Sequence, residues 1–161
     1  KLIKTELNIL KKVGAKIKLF KNSIHIKGPE KIKSIRNITT KEYDGFPTDL
    51  APQFMVLLCK ANGISSITEN IFRGRFLHTM ELQRLGAKIN IKNRTAKIEG
   101  NTNFIAAEVM SSDLRASAAL VLAGIVSKGK TIVTRVYHCD RGYENFENKL
   151  KKIGVKIKRL K

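Results

Sequence analysis

Three stretches of this chain repeat one another: Leu10-Lys-Lys-Val-Gly-Ala-Lys-Ile17, Leu82-Gln-Arg-Leu-Gly-Ala-Lys-Ile89 and Leu150-Lys-Lys-Ile-Gly-Val-Lys-Ile157, about 70 residues apart. Self-similarity at a fixed spacing means that one local structure is built again and again. In each copy an amphipathic helix runs up to a glycine (Gly14, Gly86, Gly154) that can take the left-handed conformation closing a helix, and alternating apolar residues then begin a strand. After the first two copies a turn at Lys21-Asn22 or Asn93-Arg94 leads into a second alternating strand, Ile24 and Ile26 or Ala96 and Ile98, which closes at Gly28 or Gly100. Both are read as hairpins.

A second repeat lies between these. Thr48-Asp49-Leu50 opens an apolar helical run through Phe54, Val56, Leu57 and Leu58 to Gly63, and a strand is expected from Ile64 to Phe72. Ser112-Asp113-Leu114 does the same, with a helix from Leu114 to Val126, then Gly129 and a strand from Thr131 to Tyr137. The unit is therefore β-α-β-α-β-β. Residues 1–30 read as the tail of one unit, 31–100 as a complete unit and 101–161 as most of a final one. Strands and helices in fixed rotation mean an α/β fold made of repeated subdomains. The chain opens on Lys1, with no initiator Met and in mid-helix, which is the expectation for a fragment.

Composition narrows the class. The chain has 161 residues, 42% of them hydrophobic, with 28% charged. That is enough apolar material for an ordinary core, and it argues against disorder. No apolar run reaches the roughly 18 residues of a membrane span, and no signal-peptide pattern opens the chain, so a cytoplasmic location without membrane contact is expected. Two cysteines, Cys59 and Cys139, fall in no metal-ligand or disulfide-scaffold spacing. The net charge of +19 raises nucleic-acid binding as a rival. The lysines sit at solvent positions of amphipathic stretches (Lys11, Lys12, Lys16, Lys18, Lys151, Lys152, Lys156, Lys158), with no basic block interleaved with aromatics, so a solvated basic surface is the favoured reading. Such a field also draws small anions.

Candidate chemistry gathers at equivalent places in the repeats. Asp49 and Asp113 each follow Thr or Ser at a helix start, where capping alone would account for either. Arg115 is in the first turn of its helix, where the macrodipole disfavours a cation, so an anion nearby is expected. Arg75 and Arg141 lie just past the ends of two equivalent strands, where ligands of α/β folds collect. Planar guanidinium groups grip phosphate and carboxylate bidentately, so these three arginines and two aspartates form a candidate anion pocket. The alternative for the arginines is simple pairing with Asp140 or Glu144. Cys59 reads as an inert core thiol, and His78 and His138 as groups bonded locally. No P-loop, GxGxxG or HExxH occurs.

At these same residues the sequence resembles the enolpyruvyl transferases. The carrying segments are FPTDL (Phe46 to Leu50), ITENIFRGRFLH (Ile67 to His78), SSDLRASAALVLAG (Ser111 to Gly124) and YHCDRGYE (Tyr137 to Glu144), in the family's order. The likeness covers essentially the whole chain, as the last two-fifths or so of a member. The DLRAS and DRGYE segments resemble the branch acting on UDP-N-acetylglucosamine rather than the one acting on shikimate 3-phosphate. The resemblance implies an inside-out α/β barrel of β-α-β-α-β-β subdomains, incomplete in this chain, in a two-domain enzyme with the substrates held between the domains. It implies transfer of enolpyruvyl from phosphoenolpyruvate to the sugar 3′-hydroxyl in peptidoglycan synthesis, with no metal or other cofactor. By this likeness Asp49 would be the base that contacts the sugar hydroxyl, Ile71 and Phe72 would line the nucleotide-sugar site, and Arg141 would bind phosphoenolpyruvate. Arg75, Asp113 and Arg115 would position it or stabilise charge near it.

There are departures from the family pattern. Ala51-Pro52-Gln53 stands where Gln-Ala-Gln is usual, with Pro52 tolerable in a first helical turn. Arg73-Gly74-Arg75 replaces Glu-Asn-Arg and removes an acidic group beside the cleft. The family's early Lys-Asn pair and its loop bearing a Cys or Asp have no match here, and neither Cys59 nor Cys139 stands for that Cys. The chain alone is thus expected to be inactive, its partner being the missing N-terminal part of the same enzyme. The rivals are a non-catalytic remnant or split subunit binding a UDP-sugar, a basic nucleic-acid module, and a transferase with another acceptor.

Overall fold

A computed structural model describes residues 3–160 of the chain. The three glycine-centred repeats come out as one motif. Helix α1 (Lys4–Lys12) ends with Gly14 at φ +107°, the Gly14 N–H donating to Lys11 O and the Ala15 N–H to Leu10 O. Helix α3 (His78–Arg84) ends the same way through Gly86 at +94°, with Ala87 N–H donating to Leu82 O. Helix α6 (Phe146–Lys152) ends through Gly154 at +91°, with Val155 N–H donating to Leu150 O. This pair of bonds, which satisfies carbonyls left over at a helix end, needs a residue in the left-handed region, and only glycine enters it without a Cβ penalty.

The segments after the three motifs differ. Strands β1 (Lys16–Leu19) and β2 (Ile24–Lys27) pair antiparallel from Lys16 opposite Lys27 to Leu19 opposite Ile24. Strands β5 (Lys88–Lys92) and β6 (Thr95–Glu99) pair antiparallel across the Asn93-Arg94 turn, with Asn93 at φ 55°. After Gly154 the expected strand is absent: Val155 to Leu160 have no regular secondary structure and no ladder partner among the described residues. Arg159 instead ties this tail to Asp140 at 2.5 Å and to Glu147 at 3.9 Å.

Two β-α-β crossovers give the second repeat its form, since parallel neighbours can be joined only by a connection that returns over the sheet. Strand β3 (Ile38–Thr39) leads through a turn of 3-10 helix at Thr48–Leu50 and helix α2 (Ala51–Cys59) to strand β4 (Ile64–Thr68), which lies parallel to β3. Strand β7 (Glu108–Met110) leads through helix α4 (Leu114–Ile125) to strand β8 (Ile132–Thr134), again parallel. The sheet of the middle region has the order β3-β4-β6-β5. Helices α2 and α4 pack together with Met55, Leu58, Ala119 and Leu120 fully buried. The small residues of α4 let the two backbones approach, and α2 is apolar nearly all round because it is covered nearly all round. No helix among the described residues is long and apolar enough to cross a membrane.

Two strands stop earlier than alternation predicts. β4 ends at Thr68 rather than Phe72, because the next inward position is Glu69, whose carboxylate takes the N–H groups of Ile71 and Phe72 that a ladder would have used. β8 ends at Thr134 rather than Tyr137, because Arg135 sits at φ 55° and turns the chain into a short helix, α5 (Tyr137–Asp140). A residue in the left-handed region cannot continue a strand.

Candidate functional site

The starts of α2 and α4 lie side by side, and this brings Asp49 and Arg115 together. Asp49 is on the 3-10 turn that precedes α2, and its side chain caps nothing; capping is thus not its use here. Its Oδ2 accepts a hydrogen bond from Arg115 Nη2 at 2.6 Å, and its Oδ1 lies 3.8 Å from Arg75 Nη1. The anion that a first-turn arginine calls for is therefore the Asp49 carboxylate. The Arg115 hydrogen bond, with Arg75 behind it, holds the Asp49 carboxyl below its ordinary range, and the same contact raises Arg115.

Asp113, in contrast, is the N-cap of α4. Its Oδ1 accepts from the Arg115 N–H at 2.8 Å and the Ala116 N–H at 2.9 Å, and its other oxygen accepts from the Ser112 hydroxyl. Burial pushes the Asp113 carboxyl up, but these donors and the nearby His78 together bring it below its usual value. Asp113 thus fixes the backbone at Arg115 while Asp49 fixes the guanidinium.

Arg75 follows Gly74, which takes φ +73°, and its guanidinium lies over the Phe72 ring, 4.5 Å from the centroid. Stacking of this kind orients a cation without consuming its hydrogen bonds. A cleft of about 420 Å³ opens here, lined by Glu69, Phe72, Arg73, Arg75 and Arg94 among others. Its three arginines suit an anion. Ile71 is half-buried and Phe72 exposed in the same loop. A larger cavity of about 1000 Å³ lies on the other flank of α4, between β8 and Val155 to Leu160, and contains none of the candidate residues.

Arg141 stands apart from the cluster. It is exposed, just after α5, and makes no ion pair among the described residues; Asp140 pairs with Arg159 and Glu144 with Lys149. The adjoining Gly142 is packed on α4, since a Cβ there would come within 2.7 Å of Leu114 Cδ2. Next to it, the Tyr143 hydroxyl accepts from Gln53 Nε2 at 3.3 Å and bears on Arg115. The DRGYE segment is in this way held beside both helix starts.

Other titratable groups divide into inert and structural. Cys59 is fully buried, and burial pushes its thiol up to about 12; Cys139 is pushed up to about 11 for the same first reason. Neither is a thiolate at neutral pH. His78 is buried with its Nε2 unpartnered, so the expected local bonding holds only in part. No three His, Cys, Asp or Glu side chains among the described residues come together in a way that could hold a metal. Reading the sequence missed Glu69, Thr48 and Tyr143. A signal existed for Glu69: Ser65 and Ile67 point inward, and the next position of that alternation is a carboxylate.

Comparison with known proteins decides the family, for the model of the EPSP synthase (3-phosphoshikimate 1-carboxyvinyltransferase) family matches residues 2–150. The chain belongs to that family. A UDP-N-acetylglucosamine 1-carboxyvinyltransferase of Pelagibacter ubique (strain HTCC1062) is 61% identical over 160 residues, which is 99% of this chain and 38% of the relative. A protein of the same name from Desulfosudis oleivorans (strain DSM 6200 / JCM 39069 / Hxd3) is 49% identical over 158 residues, covering 98% of this chain and 38% of the relative. The chain therefore spans little more than a third of such relatives' length. Among solved structures, the enolpyruvyl transferase NikO from Streptomyces tendae superposes with a TM-score of 0.88 at 24% identity, covering 96% of this chain and 36% of that one. An EPSP synthase from Acinetobacter baumannii gives 0.64 at 17% identity over 81% of this chain and 31% of that one. The fold is that of the enolpyruvyl transferases, mixed α/β and represented here in part.

Proposed function

We propose that this chain is the rear portion of a transferase that moves the enolpyruvyl group from phosphoenolpyruvate to the 3′-hydroxyl of UDP-N-acetylglucosamine, a step of peptidoglycan synthesis carried out in the cytoplasm. The observation that carries it is the Asp49 carboxylate held between Arg115 and Arg75, beside a cleft rich in arginine. In this reading residues 1–30, 31–100 and 101–161 are parts of three subdomains in one domain of a two-domain enzyme, and the rest of the site comes from elsewhere in that enzyme.

The chemistry is set by the charges. The hydroxyl oxygen bonds to C2 of phosphoenolpyruvate, C3 takes up a proton from an acid supplied by the rest of the enzyme, and the hydroxyl proton passes to Asp49. Return of a C3 proton to the conjugate base of that acid, with rupture of the C2–O bond to phosphate, then restores the double bond and releases phosphate. Asp49 is ionised at neutral pH, but its hydrogen bond to Arg115 makes it a poor base. An entering phosphate or carboxylate competes for the same guanidinium and frees Asp49 to accept the hydroxyl proton. Arg115, Arg75 and Arg141 neutralise the anionic substrate and the departing phosphate, with Asp113 aiming Arg115. Ile71 and Phe72 form the wall against the nucleotide sugar.

In the complete protein, Asp49→Ala is expected to abolish turnover while circular dichroism and melting temperature stay near those of the parent; near-normal turnover overturns the assignment. The family description favours a second acceptor, shikimate 3-phosphate, whereas the names of the 61% and 49% identical relatives favour the UDP-sugar. Assaying phosphate release with each acceptor in turn separates the two.

A further inference from the structure

Glu69 is a buried ionisable group with no part in the transfer chemistry. It is 2% exposed, and four donors converge on its carboxylate. Oε1 accepts from the Thr40 hydroxyl at 2.9 Å, the Ile71 N–H at 2.7 Å and the Phe72 N–H at 3.0 Å, and Oε2 accepts from the Thr48 hydroxyl at 2.6 Å. Among the described residues no cation pairs with it; Arg94 binds its main-chain carbonyl instead, at 2.6 Å. Burial pushes the carboxyl up, yet the Thr48, Phe72, Ile71 and Thr40 donors outweigh this, and Glu69 is ionised at neutral pH. A buried carboxylate bound only by neutral donors is costly unless each donor is held in place, so the arrangement fixes its donors as firmly as they fix it.

Those donors belong to the site. Thr48 immediately precedes Asp49 on the same 3-10 turn, and Ile71 and Phe72 are the loop that faces it. Phe72 carries the Arg75 guanidinium on its ring, and Arg75 reaches back to Asp49. The contacts close a circuit through Glu69, Thr48, Asp49, Arg75 and Phe72. Among the described residues the turn and the Ile71–Phe72 loop share no other hydrogen bond, so this carboxylate and the Arg75–Asp49 ion pair are the polar ties between them.

We propose that Glu69 is a positioning residue that holds Asp49 at a fixed distance from the Ile71–Phe72 wall and thereby sets the fit of the sugar nucleotide. The proposal rests on the transferase reading for its kinetic consequence and on the hydrogen bonds alone for its structural one. Thr48→Val removes one strut at constant shape, and Thr48→Ser keeps it. In the complete protein Thr48→Val is expected to raise KM for UDP-N-acetylglucosamine and lower kcat, each by about tenfold, since misplacement of a reacting group by a fraction of an ångström has effects of this order. KM for phosphoenolpyruvate should change less than about twofold, and Thr48→Ser should restore the parent values. Equal changes in both KM values, or identical behaviour of the Val and Ser variants, overturn the proposal. Independently of activity, Glu69→Gln in this chain should speed amide hydrogen exchange at Ile71 and Phe72 at least about fivefold relative to Ile89 and Ile98, because the charged acceptor is lost. Unchanged exchange at those two amides overturns it as well. If the parent protein shows no transfer while the exchange effect is present, the transferase reading fails and the positioning role stands.

Discussion

His78 shows how one residue's burial becomes a measurable property. Its ring is 3% exposed, and burial lowers its pKa from 6.5 to about 4, with Asp113 and the Arg75 backbone pulling the other way. The unfolded chain therefore binds this proton at a pH where the folded one does not. Stability must rise with pH between about 4 and 6.5, and acidification through that window removes up to about 3 kcal/mol, at ~1.4 kcal/mol per pH unit. Asp49, Glu69 and Asp113 have lowered values, so their contribution is present above their unfolded values and is lost below about pH 4. The stretch from about pH 6.5 to 5 thus isolates His78. Urea unfolding at about pH 5 and 6.5 should show the parent weaker at the lower pH and His78→Gln much less sensitive; equal slopes would refute the linkage. Arg141 makes the opposite case. It is exposed and unpaired among the described residues, so Arg141→Ala should leave the melting temperature within about 1 °C. In the complete protein it should weaken phosphoenolpyruvate more than the sugar nucleotide, and equal losses would count against its proposed role.

The two equivalent helix starts have been put to different uses. Ser112-Asp113-Leu114 gives α4 a capped beginning, whereas Thr48-Asp49-Leu50 forms a 3-10 turn whose Thr48 and Asp49 side chains both leave the helix, one for Glu69 and the other for Arg115. Asp113→Ala should therefore cost about 1 kcal/mol in urea unfolding, and Asp113→Asn only a few tenths, because Asn is as good an N-cap as Asp. Equal losses in the two variants would mean that charge, and not the cap bonds, is what Asp113 supplies. The pattern of residues made both helices readable, and the glycine stops with them, since these depend on local chemistry. Strand ends were not readable in the same way. Alternation continues past Thr68, but Glu69 captures the Ile71 and Phe72 amides, and Thr40 and Thr48, distant in sequence, converge on it. The pairing of Asp49 with Arg115 was likewise hidden, being set by the packing of α2 on α4; the sequence disclosed only that Arg115 wanted an anion.

Stability is unevenly spread through the chain as a whole. The core gathers on β4, β6, α2, α3 and α4, where Ile67, Ala96, Ile98, Leu58, Leu82 and Leu120 are fully buried. The β1–β2 hairpin has no such cover: Leu19 is 63% exposed and Ile26 48%. The same helix-glycine-strand motif therefore leads to a packed hairpin in the middle of the chain and an uncovered one near its start, a difference made by neighbours and not by the local sequence. A two-stranded hairpin without a packed face is marginal in water, while a strand paired on both sides and buried opens only with the whole fold. The +19 net charge adds repulsion that a hairpin rich in lysine feels strongly at low salt. Amide exchange in this chain should accordingly run in two tiers, with Ile17 and Ile26 exchanging at least about 100-fold faster than Ile67 and Ile98, and with the gap narrowing as salt is added. A single exchange rate across both hairpins would mean that the start of the chain is held by the core after all, and that the exposed face of β1 and β2 contributes as much to folding as the buried face of β6.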